Sequence, residues 1–445
     1  MKLFIAIILG RLANFMSKLL KHEGSVIGGY YALLVDKNLL KKIKFPKYVI
    51  GITGSSGKSS TTELTAHILK KCGLSVAYNK SGSNTLNGIT SLIIENSKLD
   101  GTFNKDVLLM ELDEKHMKEL FKYFDLTHLV ITNITRDQPP RNAHPEFIFE
   151  EIKKAFKNNC TLILNADDPF VKKYSIDHKG KIITYGMSKT NYSEKSILNN
   201  IDGAYCPKCK NKLNYSFYHY GHIGNYSCSK CDFKRGKLDY EAKKVNIKDR
   251  IMFINNDKIT LPSSFLYSAY FTLAAYTITS ELGLSKEKIL YALNIDTIKT
   301  KRLNIYTLEK RKWQMLASKN ENNLSYKQSL DFINKEPGIK TVVLGFENSS
   351  RRYTENDISW IWDIDFEQLK NKNIDKIVII GRFKHDLLVR MTYAGINKNK
   401  IILVEDLNNI IDILKTKTKG SIYSMVCFDM EIILKGLLKD ETDKN

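Results

Sequence analysis

The sequence predicts an α/β protein with two domains built around mostly parallel sheets, and three observations support this prediction. Apolar strand segments alternate with helical segments along most of the 445 residues, which is typical of a parallel sheet covered by helices. A strand, a Gly/Ser-rich turn and a helix follow one another between Val49 and Leu69. After residue 299 strands and helices alternate again, so we expect a second, Rossmann-like α/β domain.

The segment from Met1 to His22 predicts an amphipathic helix. Its apolar run is far too short to span a bilayer, and Arg11 interrupts the pattern of a signal peptide. Such a helix can pack on the protein or lie on a membrane surface, and the sequence does not choose between the two. The apolar side chains that recur at helical spacing are Leu3, Ile7, Leu12, Phe15, Leu19 and Leu20.

The turn after the first strand reads GSSGKSS and predicts a phosphate-binding loop, although Ile52 replaces the first glycine of the strict G-x-x-x-x-G-K-[ST] pattern. A loop of this kind presents backbone N–H groups and a helix N-terminus to a phosphate. Lys58 can reach the outer phosphates of a nucleotide, and the Ser59 hydroxyl can hold Mg²⁺. The residues of the turn that carry this pattern are Gly54, Gly57, Lys58 and Ser59.

Polar residues also end the strands that follow this loop. The strand DVLLMELDE (106–114) ends in Glu111 and Asp113, which are candidate Mg²⁺ ligands, or else carboxylates at the sheet edge without a ligand. Ligands of doubly wound sheets sit beyond the carboxyl ends of the strands, so we expect these polar residues to lie near one another. They are Lys58, Glu111, Asn133, Asp137, Asn165 and Asp168.

Four cysteines have the spacing C-x₂-C-x₁₈-C-x₂-C, which predicts a zinc ribbon inserted at about residues 203–236. Four thiolates close a tetrahedral shell, so we predict structural Zn²⁺, with disulfide pairing as the alternative. His219 and His222 lie between the two pairs and are not needed as ligands. The predicted zinc ligands are Cys206, Cys209, Cys228 and Cys231.

The other cysteines, Cys72, Cys160 and Cys427, lie in apolar segments and are expected to be small buried side chains. An odd number of cysteines, with four at metal spacing, favours a reducing cytoplasm. The net charge of +21 suits nucleic acid, an anionic membrane or phosphorylated substrates, and a biased base composition explains it equally well. Charge alone therefore does not identify a partner.

Taken together, several of these segments resemble the Mur ligases. Within that family, the ribbon and the stretch SWIWDIDFE (359–367) are similar to the MurT branch, the synthetase subunits of lipid II isoglutaminyl synthases, whose partner is the glutaminase GatD. The resemblance implies an N-terminal helical segment (1–45), a Mur ligase-like ATP-binding central P-loop domain (46–298) and a C-terminal Rossmann-like α/β domain (299–445). The segments that carry it are TGSSGKSS, MELDE, TNITRDQ (132–138), NADD (165–168) and Arg302.

The resemblance also implies the roles of individual residues. ATP would be bound by the loop 54–60 together with Asn133, Asp137 and Arg302, with Lys58 acting catalytically on the transferring phosphoryl group. Ser59 and Glu111 would hold Mg²⁺. The Lys-Asn-Pro segment of the family appears here as Lys-Asn-Glu at 319–321, without its proline.

The substrate implied by the resemblance is the D-glutamate α-carboxylate of the lipid II stem peptide. ATP would activate it as an acyl phosphate, and ammonia from a GatD-like glutaminase, in a heterodimer, would convert it to D-isoglutamine. Asp357 would complete the Cys–His pair of that glutaminase, with Asp363 as the alternative. Such an enzyme would be cytoplasmic, and it could contact the inner face of the membrane.

Two other functions are weighed against this one. The first is an amino-acid-adding ligase of the Mur or folylpolyglutamate type, which the ribbon and the SWIWD stretch disfavour. The second is a basic P-loop protein whose aromatic zinc ribbon binds nucleic acid. The ligase-like series of motifs disfavours it, so we expect no nucleic-acid partner.

Overall fold

The computed structural model describes residues 1–20, 26–80, 83–136, 144–195, 202–294, 303–318, 323–347 and 358–442. Its contacts divide the chain into two α/β units. The first unit contains the elements between residues 2 and 294, and the second contains those between residues 303 and 442. Arg136 and His144 group with the second unit.

A nine-stranded sheet forms the centre of the first unit, in the order β11-β10-β9-β6-β5-β4-β1-β3-β2. Strands β1 to β6 and β9 are parallel, whereas β10 and β11 extend one edge as an antiparallel hairpin. The strands are β1 (Tyr48–Thr53), β2 (Val76–Tyr78), β3 (Val107–Glu111), β4 (His128–Ile131), β5 (Thr161–Asn165), β6 (Ile182–Met187), β9 (Tyr240–Asn246), β10 (Ile251–Ile254) and β11 (Asp257–Thr260).

Helices connect the parallel strands and bury both faces of the sheet. The central strands read as continuous apolar runs because neither face is exposed to water, and every residue of β3 is buried. The helices of this unit are α1 (Lys2–Leu19), α2 (Ile27–Val35), α3 (Lys58–Lys71), α4 (Leu86–Glu95), α5 (Met117–Leu120), α6 (Pro145–Lys153), α7 (Pro169–Asp177), α8 (Leu266–Glu281) and α9 (Lys286–Asn294).

Parallel pairing brings the carboxyl ends of the strands to one edge of this sheet. Ile52 near the end of β1 pairs with Glu111 at the end of β3, and Thr53 pairs with Ile131 at the end of β4. The loops that leave these three strands are therefore neighbours, which places Lys58, Glu111 and Asn133 around a single site.

The zinc ribbon inserts between β6 and β9 as a separate antiparallel hairpin. Its strands are β7 (Leu213–Tyr220) and β8 (Ile223–Cys228), and the aromatic segment between the cysteine pairs forms the first of them. Leu213, Tyr226 and Phe233 pack around the four cysteines in a small core of their own.

The N-terminal helix packs on the protein, but not through the apolar face that its spacing predicts. The buried residues of α1 are mostly small or polar, including Ala6, Gly10, Asn14 and Ser17. Of the six predicted apolar positions only Ile7 is fully buried, whereas the four from Leu12 onward are exposed. The helix is therefore present as predicted, and of the two orientations that the sequence left open, most of its apolar face is turned away from the protein because close packing against α2 and α4 selects small side chains.

The second unit contains a six-stranded sheet in the order β12-β13-β17-β14-β15-β16, in which β12 and β13 are antiparallel and the other pairs are parallel. Its strands are β12 (Leu303–Leu308), β13 (Arg311–Ser318), β14 (Lys340–Gly345), β15 (Ile374–Ile380), β16 (Ile401–Leu403) and β17 (Ser421–Cys427). Its helices are α10 (Asn323–Lys335), α11 (Lys384–Tyr393), α12 (Ile410–Thr416) and α13 (Phe428–Thr442).

The SWIWD stretch forms a 3₁₀ turn, Ser359–Asp363, in the second unit. Trp360 is buried and its ring lies 4.9 Å from that of Phe346 and 5.4 Å from that of Tyr326, so it belongs to the core. Trp362 is exposed and its ring packs edge-on against Tyr393 at 5.3 Å. The two tryptophans of this stretch therefore have different roles.

The structure describes all seven cysteines as free thiols. Cys160 and Cys427 are buried, as the apolar context predicts. Cys72 is only partly buried, because it lies at the C-terminal end of α3 where the helix reaches the surface. The expectation that Cys72 is a buried side chain was therefore wrong.

Candidate functional site

The turn between β1 and α3 has the backbone of a phosphate-binding loop. Gly54 and Gly57 have φ angles of +128° and +82°, which L side chains rarely adopt. A Cβ atom on Gly54 would lie 2.3 Å from Thr132 Oγ1 and 2.7 Å from the Asn133 carbonyl oxygen. Gly54 is therefore needed both for the turn and for the close approach of the loop that follows β4.

Asn133 holds this turn in place. Its backbone carbonyl accepts from Ser55 N at 2.8 Å, its side-chain oxygen accepts from Ser56 N at 3.0 Å, and its side-chain nitrogen donates to the Ser56 carbonyl at 3.1 Å. The Ser55 hydroxyl donates to the Thr135 carbonyl at 2.9 Å. In this structure Asn133 and Ser55 thus shape the loop.

Lys58 begins α3, and its buried side chain turns back into the loop. Its ammonium group lies 2.6 Å from the buried Glu114 carboxylate and also donates to the Gly54 carbonyl. Sequence reasoning overlooked Glu114 as a partner, although it lies in the acidic MELDE segment. An ammonium group held between a carboxylate and a loop carbonyl is positioned beside any phosphate that the loop binds.

Glu111 and Ser59 are the predicted Mg²⁺ ligands. Glu111 is a buried residue, and the side chain of Asn79 brackets its backbone, accepting from Glu111 N at 2.8 Å and donating to the Glu111 carbonyl at 2.9 Å. Ser59 is an exposed residue of the first turn of α3, and Ser60 beside it is partly buried. A hydroxyl and a carboxylate that flank the same loop are the types of oxygen ligand that Mg²⁺ prefers.

The NADD segment positions loops with both of its aspartates, which are fully buried. Asp168 caps α7 by accepting from Phe170 N at 2.8 Å, and its other oxygen accepts from Ile134 N at 2.7 Å. Asn165 donates to the Thr132 carbonyl at 2.9 Å. These contacts fix residues 132–134, which in turn hold the phosphate-binding turn.

The zinc ribbon reaches these aspartates with two histidines. His222 Nε2 lies 3.3 Å from Asp168 Oδ1, and His219 Nε2 lies 4.0 Å from Asp167 Oδ2. Burial is the largest single influence on His222 and opposes its protonation, but Asp168, together with Asp202 and the Ile134 backbone, outweighs burial and raises the pKa of His222 above its ordinary value. For His219 burial dominates and lowers the pKa. Neither histidine belongs to the cysteine cluster, as predicted.

Asp167 is the centre of a second buried network beneath the ribbon. Arg235 Nε lies 2.6 Å from Asp167 Oδ1, and the Tyr270 hydroxyl donates to Asp167 Oδ2 at 2.7 Å. Met187 N also donates to Asp167, at 2.8 Å. A carboxylate with a cationic partner and two donors is well compensated for its burial.

The four ribbon cysteines form one cluster, with ligand sulfurs within 4.8 Å of one another. The Sγ–Sγ distances are 3.6 Å for Cys206–Cys231 and 3.4 Å for Cys209–Cys228, too long for disulfides and close to the edge of a tetrahedral ZnS₄ site, about 3.8 Å. The backbone and side chain of Asn211 donate to Cys209 and lower the pKa of its thiol to about 6. This donor set can hold Zn²⁺.

Three predicted site residues, Asp137, Arg302 and Asp357, lie outside the described residues, as does the segment 319–321. Asp363, the alternative to Asp357, is described: its Oδ2 lies 2.8 Å from Arg136 Nη1. Asp365 follows two residues later in the chain, and burial raises the pKa of its carboxyl group.

Two family models match the chain. The Mur ligase middle domain matches residues 52–258, and the MurT ligase C-terminal domain matches residues 319–429. The first match contains the phosphate-binding turn and the ribbon, and the second contains the SWIWD turn.

Full-length relatives extend these matches. The chain is 30% identical over 400 residues to the lipid II isoglutaminyl synthase (glutamine-hydrolyzing) subunit MurT of Staphylococcus aureus (strain COL), covering 89% of each chain. It is 26% identical to the subunit of the same name from Streptococcus pneumoniae (strain ATCC BAA-255 / R6), covering 98% and 97%. A pseudomurein peptide ligase type C from Methanothermus fervidus has the same fold, with a TM-score of 0.68 at 22% identity over 91% of this chain and 81% of that one.

Proposed function

The chain belongs to the MurT family of Mur ligase-like proteins, and on this premise we propose that it is the ATP-dependent synthetase subunit of a lipid II amidotransferase. Its substrate is the D-glutamate α-carboxylate of the lipid II stem peptide, and its product is the α-amide, D-isoglutamine. Family membership supports the choice of substrate. The observation that carries the phosphoryl-transfer chemistry is the position of Lys58 in the turn that Gly54 and Gly57 shape.

The reaction has two steps. A carboxylate oxygen attacks the γ-phosphorus of ATP, and the bond between this phosphorus and the β–γ bridging oxygen breaks. ADP departs, and the substrate becomes an acyl phosphate. Ammonia then attacks the acyl carbon, loses a proton, and expels inorganic phosphate. ATP is needed because a free carboxylate does not react with ammonia at neutral pH. The phosphoryl group that ATP donates becomes the leaving group of the second step.

The residues of this chain contribute positioning and charge. Phosphoryl transfer gains most from in-line placement and from neutralisation of the charge that the transition state spreads over oxygen. The turn 54–60 offers backbone N–H groups and the N-terminus of α3 to the phosphates, and Lys58 offers a positive charge. Asn133 keeps the turn in shape, and Asp137 and Arg302 complete the proposed nucleotide site.

Mg²⁺ fits the oxygen ligands of this site. We assign Ser59 and Glu111 as the residues that hold it, and when bound it neutralises phosphate charge. The ribbon thiolates of Cys206, Cys209, Cys228 and Cys231 hold a structural Zn²⁺, since four thiolates leave no coordination position for a substrate.

Ammonia comes from a partner in this proposal, a GatD-like glutaminase. A glutaminase nucleophile is a reactive thiol, and burial raises the pKa of Cys160 to about 12. The nearby His178 contacts the Cys160 carbonyl, at 2.7 Å, and not its thiol. Asp357 is the residue we assign to orient the histidine of the partner's Cys–His pair, with Asp363 as the alternative.

The proposal divides the chain into three parts. Residues 1–45 form the N-terminal helical segment, residues 46–298 the ATP-binding domain with its ribbon at about 203–236, and residues 299–445 the domain that meets the glutaminase. Because the substrate carries a lipid, we place the enzyme in the cytoplasm at the inner face of the membrane.

Isotope transfer tests the proposal directly. Lipid II labelled with ¹⁸O in the D-glutamate α-carboxylate is incubated with the purified chain, ATP, Mg²⁺ and either ammonia or glutamine plus the glutaminase. We expect amidated product and one ¹⁸O atom in each inorganic phosphate, seen by ³¹P NMR. Amidation without label in the phosphate contradicts the acyl phosphate, and addition of an amino acid in place of ammonia favours the amino-acid-adding alternative.

A further inference from the structure

The α1–α2 hairpin presents its large apolar side chains to the outside of the first unit. Leu12, Phe15 and Leu19 are 50%, 60% and 67% exposed, although each is a residue type that normally forms cores. Leu20, Tyr30, Tyr31 and Leu34 continue the same apolar surface across both helices. An exposed patch of this kind on a folded protein marks an interaction surface. We call these residues, with Leu9, Met16 and Ile27, the hairpin surface.

The opposite face of the hairpin is fixed to the protein by small and polar residues. A Cβ on Gly29 would lie 1.9 Å from the Asn87 carbonyl oxygen, so α2 packs closely against α4. Asn14 accepts from Gly28 N at 2.7 Å and donates to Glu95 at 2.9 Å, and Arg11 Nε donates to the Ile94 carbonyl at 2.9 Å. The outward position of the apolar residues is therefore built into the packing and is not a helix end that has come loose.

The two helices enclose a groove of about 440 Å³ at this surface. Its wall is almost entirely apolar. Its lining includes Leu9, Leu12, Met16, Leu20, Ile27 and Leu34.

Basic residues outnumber acidic ones around the hairpin. Residues 1–20 and 26–44 contain seven lysines and arginines and one acid, Asp36. Glu23 is in the connecting segment, outside the described residues, and the Glu95 carboxylate of α4 pairs with Lys18 at 3.2 Å. Asp36 is buried and pairs with Lys42 at 2.5 Å, so it presents no negative charge to the outside. Lys2 on α1 and Lys37 and Lys41, which follow α2, are exposed. An apolar face with a basic border is complementary to an anionic lipid surface.

We propose that the hairpin surface docks on an anionic bilayer, with Leu12, Phe15 and Leu19 inserted among the acyl chains and the lysines at the headgroups. The exposed Tyr30 and Tyr31 fit the interfacial depth, where aromatic rings with a polar group concentrate. No described helix has the length and apolar character to cross a membrane, so the docking is peripheral. The inference extends the proposed membrane location, but its test needs neither ATP nor lipid II.

Vesicle flotation with the full chain tests this docking. The vesicles contain phosphatidylcholine with about one third phosphatidylglycerol, or phosphatidylcholine alone as the uncharged comparison. We expect the wild-type chain to float with the anionic vesicles, and the double variant Phe15→Asp, Leu19→Asp to lose roughly a hundredfold in partition coefficient, because each large side chain withdrawn from lipid costs about tenfold or more. High salt should weaken the binding of the wild type.

The matched control is Ile339→Asp, Ile432→Asp, which alters two residues of the second unit that are 55% and 65% exposed. We expect it to float like the wild type. Equal flotation of the hairpin double variant overturns the proposal, as does a wild-type chain that stays with neither vesicle. Light scattering gives a third outcome. If the wild type binds no vesicles but forms a dimer that the hairpin double variant does not form, the docking proposal is overturned and the surface is assigned to a second copy of the chain.

The failure of this inference is distinguishable from that of the proposed function. Amidation of a lipid II analogue with a short, water-soluble lipid does not require a bilayer. We expect the hairpin double variant to retain that activity within about twofold, since Phe15 and Leu19 are exposed residues of α1 and have no part in the assigned ATP site. If the variant floats normally yet cannot amidate, the docking proposal fails while the amidotransferase proposal stands on its own test.

Discussion

The Lys58 ammonium group lies 2.6 Å from Glu114 Oε1, so the lysine of the phosphate-binding turn is already paired with a carboxylate. Both side chains are buried, and an ion pair in a buried position interacts strongly and is little screened by salt. A nucleotide phosphate that enters the turn must compete with Glu114 for this lysine. Two predictions follow from this pair, one for each partner.

Replacing Lys58 by alanine should abolish ATP turnover. The substitution removes the positive charge that neutralises the transferring phosphoryl group, and such losses cost about a hundredfold or more in rate. The measurement is phosphate release in the presence of substrate and ammonia. Lys71→Ala, an exposed lysine at the other end of the same helix, is the control and should keep full turnover. Turnover that survives in Lys58→Ala removes the assigned role of the loop.

Replacing Glu114 by glutamine should strengthen ATP binding and lower the stability of the protein without ATP. The variant leaves the Lys58 charge buried without its partner, and breaking a buried pair costs about 3 kcal/mol of unfolding free energy. Bound ATP supplies the missing negative charge, so saturating ATP should raise the Tm of this variant more than that of the wild type. Calorimetry with and without ATP measures both effects, with exposed Glu119→Gln as the control. If ATP raises the Tm of Glu114→Gln and of the wild type by the same amount, Glu114 does not compete with ATP for Lys58.

The ribbon cluster should lose its metal when one ligand is removed. Cys209→Ser leaves three thiolates, and we expect metal analysis of freshly purified protein to fall from about one zinc per chain to near zero. The Tm should fall with it, because metal binding to a structural site is folding free energy. Cys72→Ser, which changes a thiol outside the cluster, should keep the wild-type zinc content and the wild-type Tm. Wild-type protein without zinc would rule out the structural metal.

The contact between His222 and Asp168 should make stability depend on pH. The pKa of His222 is raised in the folded chain, so its stabilisation is complete below about pH 6.5, the ordinary histidine value, and is lost as pH rises through the folded pKa. His222→Gln should therefore cost about 3 kcal/mol of unfolding free energy at pH 6 and clearly less at pH 8.5. Denaturant titrations at both pH values measure this, with exposed His385→Gln as the control. An equal cost at the two values contradicts a protonated His222.

The fold class and the ribbon could be predicted because their signals are local. Continuous apolar strands, a Gly/Ser turn before a helix and two CxxC pairs each lie within a short segment, and the nine-stranded sheet and the cysteine cluster follow from them. Family membership was also predictable from the series of motifs. That prediction is confirmed by the relatives of similar length.

The parts that sequence reasoning missed depend on contacts between distant segments. Lys58 and Glu114 are 56 positions apart in the sequence, and Ile134, whose N–H donates to Asp168, is 34 positions from it. No local sequence pattern predicts either contact. The N-terminal helix shows a different limit. Its period predicts a helix correctly, but periodicity reports only that apolar residues share a face, and not whether that face meets the protein or its surroundings.

Replacing Asp357 by asparagine should separate the two sources of ammonia. If Asp357 orients the histidine of the partner glutaminase, the variant complex should lose glutamine-dependent amidation by about a hundredfold or more, as loss of an orienting carboxylate does in hydrolases. Amidation with free ammonium chloride should stay at the wild-type level, because the ATP site is untouched. Asp363→Asn is the matched variant: its carboxylate already contacts Arg136 at 2.8 Å, so we expect it to keep glutamine-dependent activity. The opposite outcome, with activity lost in Asp363→Asn and kept in Asp357→Asn, transfers the orienting role to Asp363. Loss of ammonia-dependent amidation in both variants places the two carboxylates in the synthetase reaction instead.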